Sequence, residues 1–244
     1  MLSLMPPTLS PFLYLCILLA VATAIVYFIV QGSIGQKEVG TAFLAMVGTF
    51  IGALFAFRLN EAKENTKINK ERKAALNRAL FILVRQYNAM RFLADQLAPY
   101  KTEFERAFNC PAFQPPPYSD LTYEFEALNF LLEVGEPNVL MRLSVEQEGF
   151  HQAIESLRVR NDFYVNEVQP VIAKSGFNLR AVPAHEFQAA LGERLFSRSI
   201  NEAAVMYAHV ADLRKSLLAT HAELFGAAKK LYPDGKFIKP AAEI

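Results

Sequence analysis

The sequence predicts an all-α membrane protein: an N-terminal two-helix transmembrane hairpin followed by a cytoplasmic antiparallel bundle of long helices. Three observations carry that expectation. Residues 12–30 and 39–57 are uncharged apolar runs. Lys37 and Glu38 are the only charges before Arg58. Beyond that point apolar residues recur in alternating steps of three and four, and no strand-like alternation persists.

Each run would span about 28 Å as a helix, close to the thickness of a hydrocarbon core. This makes 12–30 the first transmembrane helix, after a tail at 1–11, and 39–57 the second, after an external loop at 31–38. The Ala22-Thr23-Ala24 triplet has the small-x-small look of a cleavable leader, but 1–11 carries no Lys or Arg and the apolar run continues past Ala24. An uncleaved span is the better reading. Orientation follows from the flanks. Arg58, Lys63, Lys67, Lys70, Arg72, Lys73 and Arg78 follow the second run, opposed only by Glu61, Glu64 and Glu71, whereas the 31–38 loop has a single Lys. The Lys/Arg excess puts that side in the cytoplasm of a bacterial inner membrane, with both termini inside. The protein is then multi-pass, with the lipid bilayer as its first partner.

The second run also carries a face of small residues. Gly48 and Gly52 form a GxxxG pair extended by Ala45 and Ala56, and Thr41, Thr49 and Ala53 lie beside it. Small residues let helix backbones approach closely, so this face is expected to mediate self-association, or packing on the first span. Residues 58–75 are charged all round and read as a basic helical stalk. Its Arg58, Lys63, Lys67, Lys70, Arg72 and Lys73 form a membrane-proximal set able to touch anionic headgroups.

The region 76–232 is the expected helical bundle. Its first helix carries the stripe Leu76, Leu80, Leu83, Tyr87, Met90, Ala94 and Leu97, and Pro99 interrupts it. Residues 109–118 contain Pro111, Pro115, Pro116 and Pro117 and form a connector. A compact apolar helix is expected over 120–134, ended by the Gly135-Glu136-Pro137-Asn138 turn. A long helix then follows Leu140, Leu143, Gln147, Phe150, Ile154, Leu157, Asn161, Tyr164, Val168 and Val171, and Pro170 should end or kink it. The last helix, about 184–231, is lined with small residues in its first half, so the tightest packing is expected near Gly192. A tail at 233–244 finishes the chain.

No motif for catalysis is present. His151, His185, His209 and His221 have no ligand-type spacing to one another or to Cys16 and Cys110, and there is no phosphate-binding glycine loop, nucleophile elbow or dinucleotide fingerprint. The sequence therefore predicts no enzyme, no metal and no cofactor. The net charge of +1 gives no global field toward nucleic acid. Gln147 and Asn161 sit in the stripe with Arg158, Arg160 and Asp162 nearby. That group is either a device fixing helix register or a polar site that receives a ligand.

The passage from Gly48 to Asn60, with Leu128-Asn129-Phe130-Leu131-Leu132 and Tyr232-Pro233-Asp234-Gly235-Lys236-Phe237-Ile238, resembles uncharacterised bacterial two-span inner-membrane proteins with a C-terminal helical domain. Some proteins of this plan are phage-defence effectors of the abortive-infection or retron type. The resemblance implies a membrane-perturbing or signalling effector restrained by a cytoplasmic protein partner, and it transfers no catalytic residue. The alternative is a non-catalytic, membrane-tethered scaffold that docks such a partner.

Overall fold

A computed structural model of the protein describes residues 27, 30, 36–177 and 182–239. The expected first span lies outside the described residues except for Tyr27 and Val30, both helical, as do residues 1–11, 31–35 and 240–244. The elements are α1 (Gln36–Leu97), α2 (Phe125–Leu128), α3 (Phe130–Glu133), α4 (Pro137–Phe163), α5 (Gln169–Ser175) and α6 (Ala184–Leu231), with π-helical turns at Glu105–Asn109 and Tyr164–Val168. Among the described residues there is no strand. The chain divides into two compact units, Met1–Lys67 and Ile68–Ile244.

In the second unit, the predicted stripe of α1 is the core. Leu76, Leu80, Leu83, Met90 and Leu97 are buried, with Tyr87 and Ala94 packed against them. Pro99 ends the helix, because it has no N–H to donate and disfavours helical backbone in the residue before it. Thr102 and Glu105 then form a reciprocal capping box. The Glu105 amide donates to Thr102 Oγ1 (3.2 Å), and the Thr102 amide donates to Glu105 Oε2 (3.0 Å). The turn they open widens into the π-helical segment closed by the Cys110 amide on the Glu105 carbonyl.

The single helix expected over 120–134 is instead two four-residue turns, α2 and α3. Side chains of other helices hold the backbone before them. The Tyr123 amide donates to Gln147 Oε1 (3.2 Å), and Gln86 Nε2 donates to the Leu121 carbonyl (3.0 Å). Tyr123 also donates its hydroxyl to Gln86 Oε1 (2.7 Å). The non-helical backbone at 121–123 serves these partners, whereas in a helix the Leu121 carbonyl would be taken by the amide of residue 125. On the outside, Arg72, Arg78 and Arg85 of α1 pair with Glu133, Glu124 and Asp120.

α4 and α6 run in opposite directions, as their contacts show. Glu136 pairs with Lys230, Arg142 with Glu223, and Glu167 with Arg194 and Arg198. Between them, buried Glu146 accepts hydrogen bonds from Ser216 (2.8 Å) and Thr220 (2.9 Å). Gly149 marks the tight approach: a Cβ there would lie 3.2 Å from Leu213 Cδ1. Pro170 does not end the α4 path. The π-helical turn precedes it, and the helix resumes as α5 until Gly176, at φ +67°, closes it.

Gly192 corrects the expected packing. A Cβ there would meet nothing within 4 Å, so it is not a close approach. Its backbone is non-helical at φ 75°, ψ 156°, a region open almost only to glycine. The break also shifts the stripe. After it Ser199, Ala203, Met206 and Val210 are buried, whereas before it Phe187 and Leu191 are buried and Ala189 is exposed. Gly192→Ala is expected to destabilise the second unit by about 1–3 kcal/mol. A chemical-denaturation midpoint equal to that of the parent would show that the break is not needed.

The tail is docked. Asn77 donates to the Lys236 carbonyl (3.0 Å) and accepts from the Ile238 amide (3.1 Å), while Phe237 and Ile238 pack against the core.

Candidate functional site

Within the first unit, α1 supplies the one described helix long and apolar enough to cross a membrane. None of its apolar stretch is buried. Leu44, Phe55 and Phe57 expose 72%, 69% and 65% of their surface. A core helix of a soluble protein would be covered, so this surface asks for an apolar covering that the described residues do not supply. Thr49 donates its hydroxyl to the Ala45 carbonyl (2.8 Å), which satisfies that group inside the helix as an apolar surrounding requires.

The predicted helix-packing residues Ala45, Gly48, Gly52 and Ala56 are exposed on this helix. A Cβ at Gly48 or Gly52 would meet nothing within 4 Å, so the face is open among the described residues. The predicted basic set separates into two groups. Arg58, Lys63, Lys67 and Lys70 are exposed, with Arg58 3.7 Å from Glu61. Arg72 and Lys73 turn to protein partners instead. Arg72 pairs with Glu133 at 2.8 Å and lies over the Phe130 ring, and Lys73 lies 5.0 Å over Tyr232.

In the second unit, the polar group singled out in the sequence is built around Arg160, which is 2% exposed. Its guanidinium donates to the carbonyls of Ala107 (3.2 Å), Pro111 (3.1 Å), Cys110 and Arg106, and to Asn161 Oδ1 (3.2 Å). Among the described residues no carboxylate pairs with it. The carbonyl ends of a π-helical turn supply the negative potential instead, and the Tyr164 ring lies 4.6 Å away. Burial pulls the Arg160 guanidinium below its ordinary value. It also pushes the neighbouring Cys110 thiol up, which keeps the sulfur protonated and unreactive. Asn161 donates to the Phe113 carbonyl, and Tyr164 donates to the Phe108 carbonyl (2.9 Å). The chemistry of this cluster is that of a clamp on the 105–113 backbone.

Gln147 serves in the same way. It receives the Tyr123 amide, and its amide nitrogen lies 3.0 Å from His151 Nε2. Both polar stripe residues therefore hold backbone. Sequence reasoning weighed Asn161 and Gln147 but gave Arg160 only a neighbouring role. The missed signal is its position, since 153, 157 and 160 continue the buried stripe.

Beside the clamp, Phe113, Gln114, Arg158 and Asp162 line an open groove of about 470 Å³. Among the described residues no group of three or more His, Cys, Asp or Glu side chains is placed to hold a metal. His221 is 3% exposed beside Leu83, Val84 and Leu217, and neither ring nitrogen has a hydrogen-bond partner. Burial lowers its pKa below the ordinary value. The unfolded chain therefore binds a proton at His221 before the folded one does. Its contribution to stability is whole above about pH 6.5 and is lost as pH falls toward the folded value. His221→Leu is expected to flatten the fall in melting temperature as pH drops below about 6.5. An unchanged acid limb in that variant would exclude His221 as its source.

Comparison with protein-family models, with curated proteins and with solved structures finds no match to this chain.

Proposed function

We propose that the protein is a membrane-anchored helical effector or signalling protein of the bacterial inner membrane. In this reading it is held by spans at 12–30 and 39–57 with both termini in the cytoplasm. Residues 76–232 form an antiparallel bundle that receives a cytoplasmic protein partner. The observation that carries the reading is the change of character within α1. Its apolar stretch is uncovered by protein, whereas from Ala75 its stripe is buried core. A helix that is apolar all round at one end and amphipathic at the other suits lipid first and protein next.

The effector form of this proposal is a membrane-perturbing component of a phage-defence system. Self-association through Ala45, Gly48, Gly52 and Ala56 would assemble the spans, and Arg58, Lys63, Lys67 and Lys70 would meet anionic headgroups. The scaffold form uses the spans only as a tether, and it is favoured by the separate core of the second unit. Expression at high level in bacteria with a potential-sensitive dye separates the two. The effector form expects depolarisation that Gly48→Leu with Gly52→Leu abolishes at equal membrane abundance. Full membrane potential and normal growth with the parent protein would leave only the tether.

A further inference from the structure

At the C-terminal end of α1, a second cavity of about 270 Å³ opens between that end, the following loop and α6. Its charged lining side chains are all basic: Lys101, Arg106 and Arg214. Among the described residues none of the three makes an ion pair. The nearby carboxylate of Glu105 is already engaged. It accepts the backbone amides of Lys101 (2.7 Å) and Thr102 (3.0 Å), which hold its pKa below the ordinary value.

The guanidinium at the centre is pre-positioned. Arg106 donates from Nε to the Tyr100 carbonyl (3.3 Å), and its plane lies 4.7 Å over the Tyr207 ring. Tyr207 is fixed in turn by donating its hydroxyl to the Leu97 carbonyl (2.9 Å). The terminal Arg106 nitrogens make no hydrogen bond among the described residues, and they form a fork suited to two oxygens of one anion. Small side chains at Ala94, Ala98 and Ala211 leave the space open. A buried or half-buried arginine normally spends its donors on protein oxygens, as Arg160 does. Arg106 spends one and leaves the fork to the cavity.

We propose that this cavity binds a small phosphorylated compound, with the phosphate on the Arg106 fork flanked by Lys101 and Arg214, and an apolar or aromatic body against Tyr100 and Tyr207. Three cations in a lining that holds no carboxylate favour a multiply charged anion over a carboxylate or a neutral ligand. The volume sits at the small end of ligand cavities, which fits one phosphate-bearing group with a compact body. The site stands independently of the membrane reading above.

The test is binding of inorganic pyrophosphate and of adenosine monophosphate to the full chain in a zwitterionic detergent, by calorimetry at fixed ionic strength. Saturable binding by at least one is expected. Arg106→Gln should weaken it about tenfold or more. Lys101→Gln combined with Arg214→Gln should do likewise, and both side chains are exposed and free of contacts the fold needs. Arg58→Gln with Lys63→Gln should leave it unchanged. No saturable binding, or binding indifferent to both cavity variants, overturns the proposal. Repeating the titration in phosphatidylcholine nanodiscs with and without phosphatidic acid identifies the source. Competition by the acidic lipid assigns the phosphate to a headgroup, and none assigns it to a free compound.

Discussion

Arg160→Ala is expected to lower the stability of the second unit by about 3–5 kcal/mol, enough to unfold it near physiological temperature. The size follows from what is left behind. Removing the guanidinium strips the Ala107, Cys110 and Pro111 carbonyls of a donor, and Ala107 and Cys110 are both buried. It opens a cavity beside Tyr164 in the same step. The loss should be local first. Amide hydrogen exchange across 105–118 is expected to rise before that of α4 and α6, because those helices retain their own hydrogen bonds. Arg160→Lys keeps the charge but not the planar fork, so it should recover only part of the loss. If Arg160→Ala melts at the parent temperature with unchanged exchange over 105–118, the clamp contributes nothing and Asn161 with Tyr164 suffices.

That prediction marks where the sequence stopped being readable. The stripes of α1 and α4 were legible because burial there follows a helical period, residue by residue, from Leu76 to Leu97 and from Leu143 to Leu157. The end of α1 was legible because proline acts locally. What failed depends on partners distant in the chain. The loss of helix over 120–124 arises from Gln86 and Gln147, each more than twenty positions away. The break at Gly192 is a backbone choice that a glycine permits but does not announce. Arg160 looked like one charge among several on a helix, because its acceptors are main-chain carbonyls that carry no sequence signal. The cavity around Arg106 escaped for the same reason: Lys101, Arg106 and Arg214 share no motif and meet only through the packing of α6 beside the end of α1. Of the basic stalk, only the fate of Arg72 and Lys73 needed the structure, since their partners Glu133 and Tyr232 lie far along the chain.

Replacing both Met46 and Ile51 by arginine is expected to reverse the side of the membrane on which the C-terminus lies. Both side chains are about half exposed on the uncovered stretch of α1. In lipid, each arginine near the centre of a span costs about 2.5–3.5 kcal/mol, in addition to the favourable transfer lost with the apolar side chain. For the pair, that is about 6 kcal/mol or more, sufficient to keep residues 39–57 out of the bilayer. In the proposed two-span topology only 12–30 would be left to cross, and everything after it would be exported. A C-terminal fluorescent reporter active only in the cytoplasm should then go dark, and alkaline phosphatase at the same position should become active. In water the same two changes on an exposed helix would each alter stability by about 0.5 kcal/mol or less. Met141→Arg with Val145→Arg supplies the control, since both residues are exposed on α4 and neither is proposed to meet lipid. A C-terminal reporter indifferent to arginine at 46 and 51 would mean that the uncovered apolar surface of α1 is met by protein, and the helix would have to be read as a docking face instead of a span.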